Sequence, residues 1–182
     1  MRPEIIVRLL ALLTLLSNVI VLLYLLFYVF NRLGFAKDVW QKINKFLSGR
    51  VILYSFIVAL TATSGSLYFS EVAGFTPCIL CWYQRIFMYP LVLVLGVGLF
   101  TKSKDVWKYV LPLSLVGLSV AFYHYNLQIN PSLLAPCTTI GFSASCSERF
   151  VTEFGYITIP WMAFSAFALV TIAMLLLKSR KN

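Results

Sequence analysis

Four cysteines hold most of the chemistry this chain can do: Cys78 and Cys81, separated by two residues, and Cys137 and Cys146, separated by eight. A Cys-x-x-Cys pair serves as a reactive dithiol, half of a metal site, or a short disulfide. As a staple it is poor, because the loop it closes is too short to constrain an unfolded chain appreciably. As a redox switch it is well suited, since a small strained ring accepts electrons readily. Pro77 fixes the chain entering this pair. Zinc is the weaker reading, because structural sites repeat a gap of about two to four residues and the Cys137 to Cys146 spacing does not fit. Two further residues stand nearby in type or position: Arg85, four residues past Cys81, and His124, the one histidine in the chain.

Positioning these groups is the work of membrane-spanning helices. With 60% hydrophobic and 12% charged residues and a mean hydropathy of +0.88, a chain of 182 residues is not a soluble domain. A hydrocarbon core needs about 20 apolar residues per helix. Five segments qualify: Ile5 to Phe30, Val51 to Phe69, Tyr83 to Phe100, Tyr109 to Leu127 and Ile157 to Leu177. Pro90, Pro112 and Pro160 fall in these spans as kinks or first-turn residues. The first apolar stretch exceeds the roughly 7 to 15 residues of a signal-peptide core, and no small-residue cleavage site follows Phe30.

Basic residues set the expected topology, because loops rich in Lys and Arg stay in the cytoplasm. Arg32, Lys37, Lys42, Lys45 and Arg50 lie in one connection, Lys102, Lys104 and Lys108 in another, and Lys178, Arg180 and Lys181 in the tail. The segment from Ser70 to Trp82 has no Lys or Arg, and that from Gln128 to Tyr156 has only Arg149. All four cysteines are therefore expected on the outer, oxidising face, with the C-terminus cytoplasmic. The net charge of +9 is a topology signal and not a nucleic-acid footprint. The expected organisation is an extra N-terminal transmembrane helix (1–34), a cytoplasmic amphipathic linker (35–50), a four-helix catalytic bundle (51–178) and a short tail (179–182). The fold class is an all-α membrane protein.

Within that frame the third helix begins near Cys81, so Cys78 sits where free N–H groups and the helix dipole favour a thiolate. Arg85, one turn in, either stabilises a thiolate or reduced oxygen, or snorkels to the interface. His124, near the outer end of the fourth span, is placed to hydrogen-bond or protonate a ligand, or to bond a backbone carbonyl. Ser147 is expected to cap a surface segment with Phe150, Val151 and Phe154 on one face. Tyr83, Tyr123, Tyr125, Tyr156 and Trp161 suit an interfacial aromatic belt. The run Thr61-Ala62-Thr63-Ser64-Gly65-Ser66 suits close helix packing, and no chemistry is assigned to it.

Taken together, Cys78-Ile79-Leu80-Cys81-Trp82-Tyr83-Gln84-Arg85, His124 within Phe122 to Gln128, and Cys146-Ser147-Glu148-Arg149 resemble the DsbB/BdbC family of membrane thiol:quinone oxidoreductases. The resemblance runs from about Val51 to Leu177, and the short Cys137 to Cys146 spacing is similar to the Gram-positive type. It implies residence in a bacterial inner (cytoplasmic) membrane and a soluble or tethered thioredoxin-fold partner of the DsbA/BdbD kind. It also implies a membrane quinone, ubiquinone or menaquinone, as electron acceptor. Cys137 would form the mixed disulfide with the partner and Cys146 would resolve it. Electrons would pass to Cys78, and Cys81 would lie against the quinone, with Arg85 and His124 as quinone contacts. The first span has no counterpart in that four-helix pattern. A vitamin-K-epoxide-reductase-like enzyme and a non-enzymatic membrane protein with stapled loops are the alternatives.

Overall fold

The computed structural model describes residues 3–33, 50–130 and 144–179. Residues 35–49 of the amphipathic linker expected over 35–50 lie outside the described residues, as do Cys137 and residues 180–182. The elements run α1 (Pro3–Arg32), α2 (Val51–Leu67, continued by a π-helical turn at Tyr68–Val72), α3 (Ile79–Phe100), α4 (Trp107–Ile129) and α5 (Ile159–Ser179). All five are long and apolar enough to cross a membrane. The chain is an all-α membrane protein, four helices in a bundle with one more at the N-terminus.

The third helix starts four residues earlier than hydropathy places it. Cys78 is extended (φ −77°, ψ 170°) and caps α3, its sulfur accepting the Cys81 N–H. A hydropathy window does not register such a cap, since it weighs apolar content and not backbone valence. Pro160 sits in the first turn of α5, where its missing N–H costs nothing. Pro90 lies mid-helix in α3 and removes one backbone hydrogen bond there.

The bundle core is built from Met88, Leu91 and Leu95 of α3, Val110 and Ala121 of α4, and Phe167, Val170 and Met174 of α5, with Ala59 of α2 against them. Helices α4 and α5 meet most closely. A Cβ on Gly117 would fall 2.3 Å from the Phe167 ring, so only glycine lets the fully buried phenyl cross at that level. A buried hydroxyl pair, Thr171 Oγ1 donating to Ser114 Oγ at 3.0 Å, ties the same two helices.

Helix α1 lies along α5 and touches α2. Leu10 packs over Gly65, where an added Cβ would come within 3.1 Å of the leucine. Ser165 Oγ donates to Asn18 Oδ1 at 2.8 Å, and Val7 joins Phe69 and Val151 in a small apolar cluster. Within the small-residue run of α2, Gly65 is thus the packing contact with α1.

The surface helix expected after Ser147 is not formed. Glu153 and Ile157 instead exchange both backbone hydrogen bonds at 2.9 Å across a tight turn in which Phe154 and Gly155 have φ of 51° and 78°. Gly155 supplies the left-handed geometry at no steric cost, and a helix cannot pass through it. Phe150 stacks on Phe75 with centroids 5.2 Å apart.

Candidate redox site

Cys78, Cys81, Arg85, His124 and Cys146 meet at one end of the bundle. The sulfurs of Cys78 and Cys81 are free thiols 2.9 Å apart, the second placed one turn into α3 by the cap that the first provides. Cys78 is buried, and its thiol is lowered to about 4, first by the hydrogen bond from the Cys81 thiol and then by His124, against the opposing effect of burial. A stabilised thiolate favours the reduced state and so makes the corresponding disulfide oxidising.

His124, 1% exposed, organises the site from α4. Gln84 Nε2 donates to its Nδ1 at 2.9 Å, which leaves the ring proton on Nε2. From there it faces the Cys146 carbonyl at 3.1 Å and Cys78 Sγ at 3.6 Å. One imidazole thus joins α3, α4 and the segment carrying Cys146. Cys78, Cys81 and His124 also bring three metal-ligating atoms within 4.8 Å of one another, a grouping that spacing alone did not single out. With its N–H rather than its lone pair toward Cys78, His124 acts here as a hydrogen-bond donor.

Arg85 does not snorkel. Its side chain is buried and reaches across to α2, where Nε donates to Ser66 Oγ at 3.0 Å and a terminal nitrogen donates to the Ser66 carbonyl at 2.9 Å. The guanidinium also lies 5.1 Å from the Trp82 ring centroid, within cation–π range. No carboxylate among the described residues pairs with it, the one ion pair found there being Lys108–Asp105 near the start of α4.

Cys146 is buried and disulfide-bonded, and packs with Cys78, Leu80 and Leu127. Its segment is held by Gln128 Nε2 donating to the Glu148 carbonyl at 2.8 Å, and by the Arg149 guanidinium donating to the Gln128 carbonyl. Gln128 Oε1 is buried without a partner.

A cavity of about 370 Å³ reaches this end, with Cys81, Arg85, His124 and Gln128 in its wall and apolar side chains over most of the rest. That volume falls in the range of ligand pockets. Sequence reasoning passed over three of the site's members: Gln84, Ser66 and Gln128. Gln84 had a signal, since an amide beside an arginine inside a span is costly unless it has a partner. Ser66 had none, because its role lies in facing Arg85 across two helices. Among the aromatic residues, Tyr125, Tyr156 and Phe164 gather around Trp161 at centroid distances of 4.6, 5.9 and 5.1 Å, while Tyr83 and Tyr123 are exposed.

Comparison with known proteins agrees with this geometry. Residues 48–177 match the family model described as "Disulfide bond formation protein DsbB". "Disulfide bond formation protein C" of Bacillus subtilis (strain 168) is 48% identical over 135 residues, 72% of this chain and 96% of that protein. "Probable disulfide formation protein" of Metapseudomonas resinovorans is 36% identical over 136 residues, 74% of this chain and 93% of that protein. The SPbeta prophage-derived disulfide bond formation protein B of Bacillus subtilis is 43% identical over 118 residues, 65% of this chain and 78% of that protein. No solved structure matches. The family match begins after α1 and takes in every cysteine, Arg85 and His124. A buried dithiol on a helix cap, a disulfide-bonded cysteine beside it and this kinship converge: the chain is a membrane oxidoreductase of disulfide formation and belongs to the DsbB family.

Proposed function

We propose that this protein is a thiol:quinone oxidoreductase of a bacterial cytoplasmic membrane that reoxidises a thioredoxin-fold thiol oxidase of the DsbA/BdbD kind. The observation that carries the reading is the apolar cavity whose wall includes Cys81, Arg85 and His124. A second exchange site, for the protein partner, is assigned to Cys137 and Cys146. The chemistry rests on residues 51–178, and the cysteine-bearing end faces outward. Supporting that sidedness, α5 ends with Lys178 at the end of the bundle away from the cysteines, and basic ends are retained in the cytoplasm.

The partner's thiolate attacks Cys137 and Cys146 leaves; the partner's second thiol then releases its own disulfide, so both electrons and both protons stay on Cys137 and Cys146. The Cys146 thiolate next attacks Cys78 of the Cys78–Cys81 disulfide and Cys81 leaves; Cys137 then attacks Cys146 of the Cys146–Cys78 bond, Cys78 leaves, and the Cys137–Cys146 disulfide is restored. Cys78 and Cys81 are now reduced. A membrane quinone, ubiquinone or menaquinone, supplies when bound a two-electron, two-proton acceptor beside Cys81. His124 holds a proton at Nε2 for this site and fixes Cys78. Arg85 places positive charge where thiolate or reduced oxygen develops, and the unpartnered Gln128 Oε1 offers a buried acceptor to a ligand hydroxyl.

The test uses the purified full chain, a reduced thioredoxin-fold partner and a quinone analogue. Cys81→Ser is expected to abolish quinone-dependent partner oxidation beyond the one equivalent carried by the Cys137–Cys146 disulfide. Normal turnover in that variant would refute the assignment of Cys81, and absence of quinone reduction by the unaltered protein would refute the function.

A further inference from the structure

The cavity is not enclosed by the four-helix bundle alone. Leu10, Leu13, Thr14, Leu16, Ser17 and Ile20 of α1 line it, opposite small residues of α2, and it runs on without interruption to Cys81 and Arg85. We infer that α1 is the third wall of a slot holding the isoprenoid tail of the quinone, with the ring at the dithiol. The inference rests on the quinone reading proposed above.

The surface α1 presents suits a branched hydrocarbon with no hydrogen-bonding capacity. Its two polar wall residues have spent their hydroxyls on their own helix, Thr14 Oγ1 donating to the Leu10 carbonyl at 2.9 Å and Ser17 Oγ to the Thr14 carbonyl at 2.7 Å. Across the gap, Thr61 and Ala62 keep α2 low. The slot is therefore apolar and shaped by missing side-chain volume. It is also fixed, because Leu10 on Gly65 and Asn18 with Ser165 hold α1 against α2 and α5. The opposite face of α1, including Leu12 and Val19, is exposed and touches no part of the cavity. The favoured occupant is a quinone tail and not a phospholipid acyl chain, because the slot ends on a thiol pair, a guanidinium and an imidazole. A tail whose head group belongs at that end is held in register by it.

Direct binding tests this on the full-length protein. Dissociation constants are read from quenching of intrinsic tryptophan fluorescence by a tail-less quinone and by the same ring carrying a long polyprenyl tail. Each variant is referred to the unaltered protein so that partitioning into detergent cancels. Ser17→Phe and Thr14→Phe fill the slot, while Leu12→Phe and Val19→Phe alter the outer face. The expected result is a loss of about tenfold in affinity for the tailed quinone, equivalent to about 1.4 kcal/mol, in the slot variants only. Affinity for the tail-less ring, which reports that the site is intact, is expected to hold within about twofold. Equal weakening of both ligands, or no change in either, would overturn the inference and leave the proposed activity standing. An unaltered protein that binds tailed and tail-less rings alike would assign the slot to a lipid chain and overturn it too. Failure to bind either quinone would overturn the proposed activity with it.

Discussion

Helices α1 and α3 are both long enough to cross a bilayer, yet they are built to opposite rules. In α1 the most apolar span of the chain is also the least buried, with leucines such as Leu12, Leu16 and Leu22 more than half exposed. In α3 the buried positions include Gln84 and Arg85, while Ile86, Leu93 and Val97 face outward. The difference shows what interior means when the solvent is hydrocarbon. Leucine gains little by leaving lipid, so apolarity does not drive a helix inward, whereas a polar side chain must find partners inside the protein. Here the polar residues mark the core, and the core is where the chemistry lies.

The sharpest way to break this contrast is to remove the polar member of α3. Arg85→Met deletes two charge-assisted hydrogen bonds to Ser66, each worth about 1.5–3 kcal/mol. Partner oxidation is expected to fall about 10- to 100-fold, measured with kcat and KM separated. Arg85→Lys is expected to rescue little, since an ammonium does not reproduce the two-pronged contact or the stacking on Trp82.

A smaller effect is expected in the protonation of Cys78. A thiol held down to about 4 is a thiolate at neutral pH, so alkylation of the reduced protein should already be near its plateau there and decline only in acid. Removing a donor raises that thiol, and the midpoint of the alkylation rate moves to higher pH. Cys81→Ala should move it furthest, because its hydrogen bond is the largest cause, and His124→Phe by less. An unmoved profile in both would mean that neither group holds the thiolate.

The smallest differences lie in packing. Leu91→Ala in α3, at a fully buried position, leaves a cavity, but the hydrophobic transfer part of the cost is small when the alternative environment is lipid. A loss of about 1–2 kcal/mol is expected on that ground. Leu12→Ala in α1 is expected to stay within about 0.5 kcal/mol. Reversible unfolding in mixed detergents compares the two, and equal costs would erase the contrast between the helices.

Much of this was legible in the residues themselves. Runs of about 20 apolar residues name the spans, and Cys-x-x-Cys followed by arginine names the end where chemistry happens. Contacts between helices were not legible, because they depend on rotation about each helix axis. Ser66 looked like packing material until α2 turned it toward Arg85. The segment after Ser147 misled because its apolar spacing has the period of a helix, while the turn at Phe154–Gly155 is a property of backbone dihedrals. Hydropathy alone starts α3 late, at Tyr83, because a cysteine cap has no hydropathy signature, whereas the placement of Cys78 at the helix start agrees with its role as cap.

The unpaired arginine has an electrical meaning. Arg85 brings a permanent positive charge into a region of low permittivity with neutral ligands around it and no carboxylate among the described residues. When the dithiol is oxidised, nothing nearby on α3 balances that charge. In the proposed cycle, a thiolate formed at this dithiol would meet a positive charge already in place.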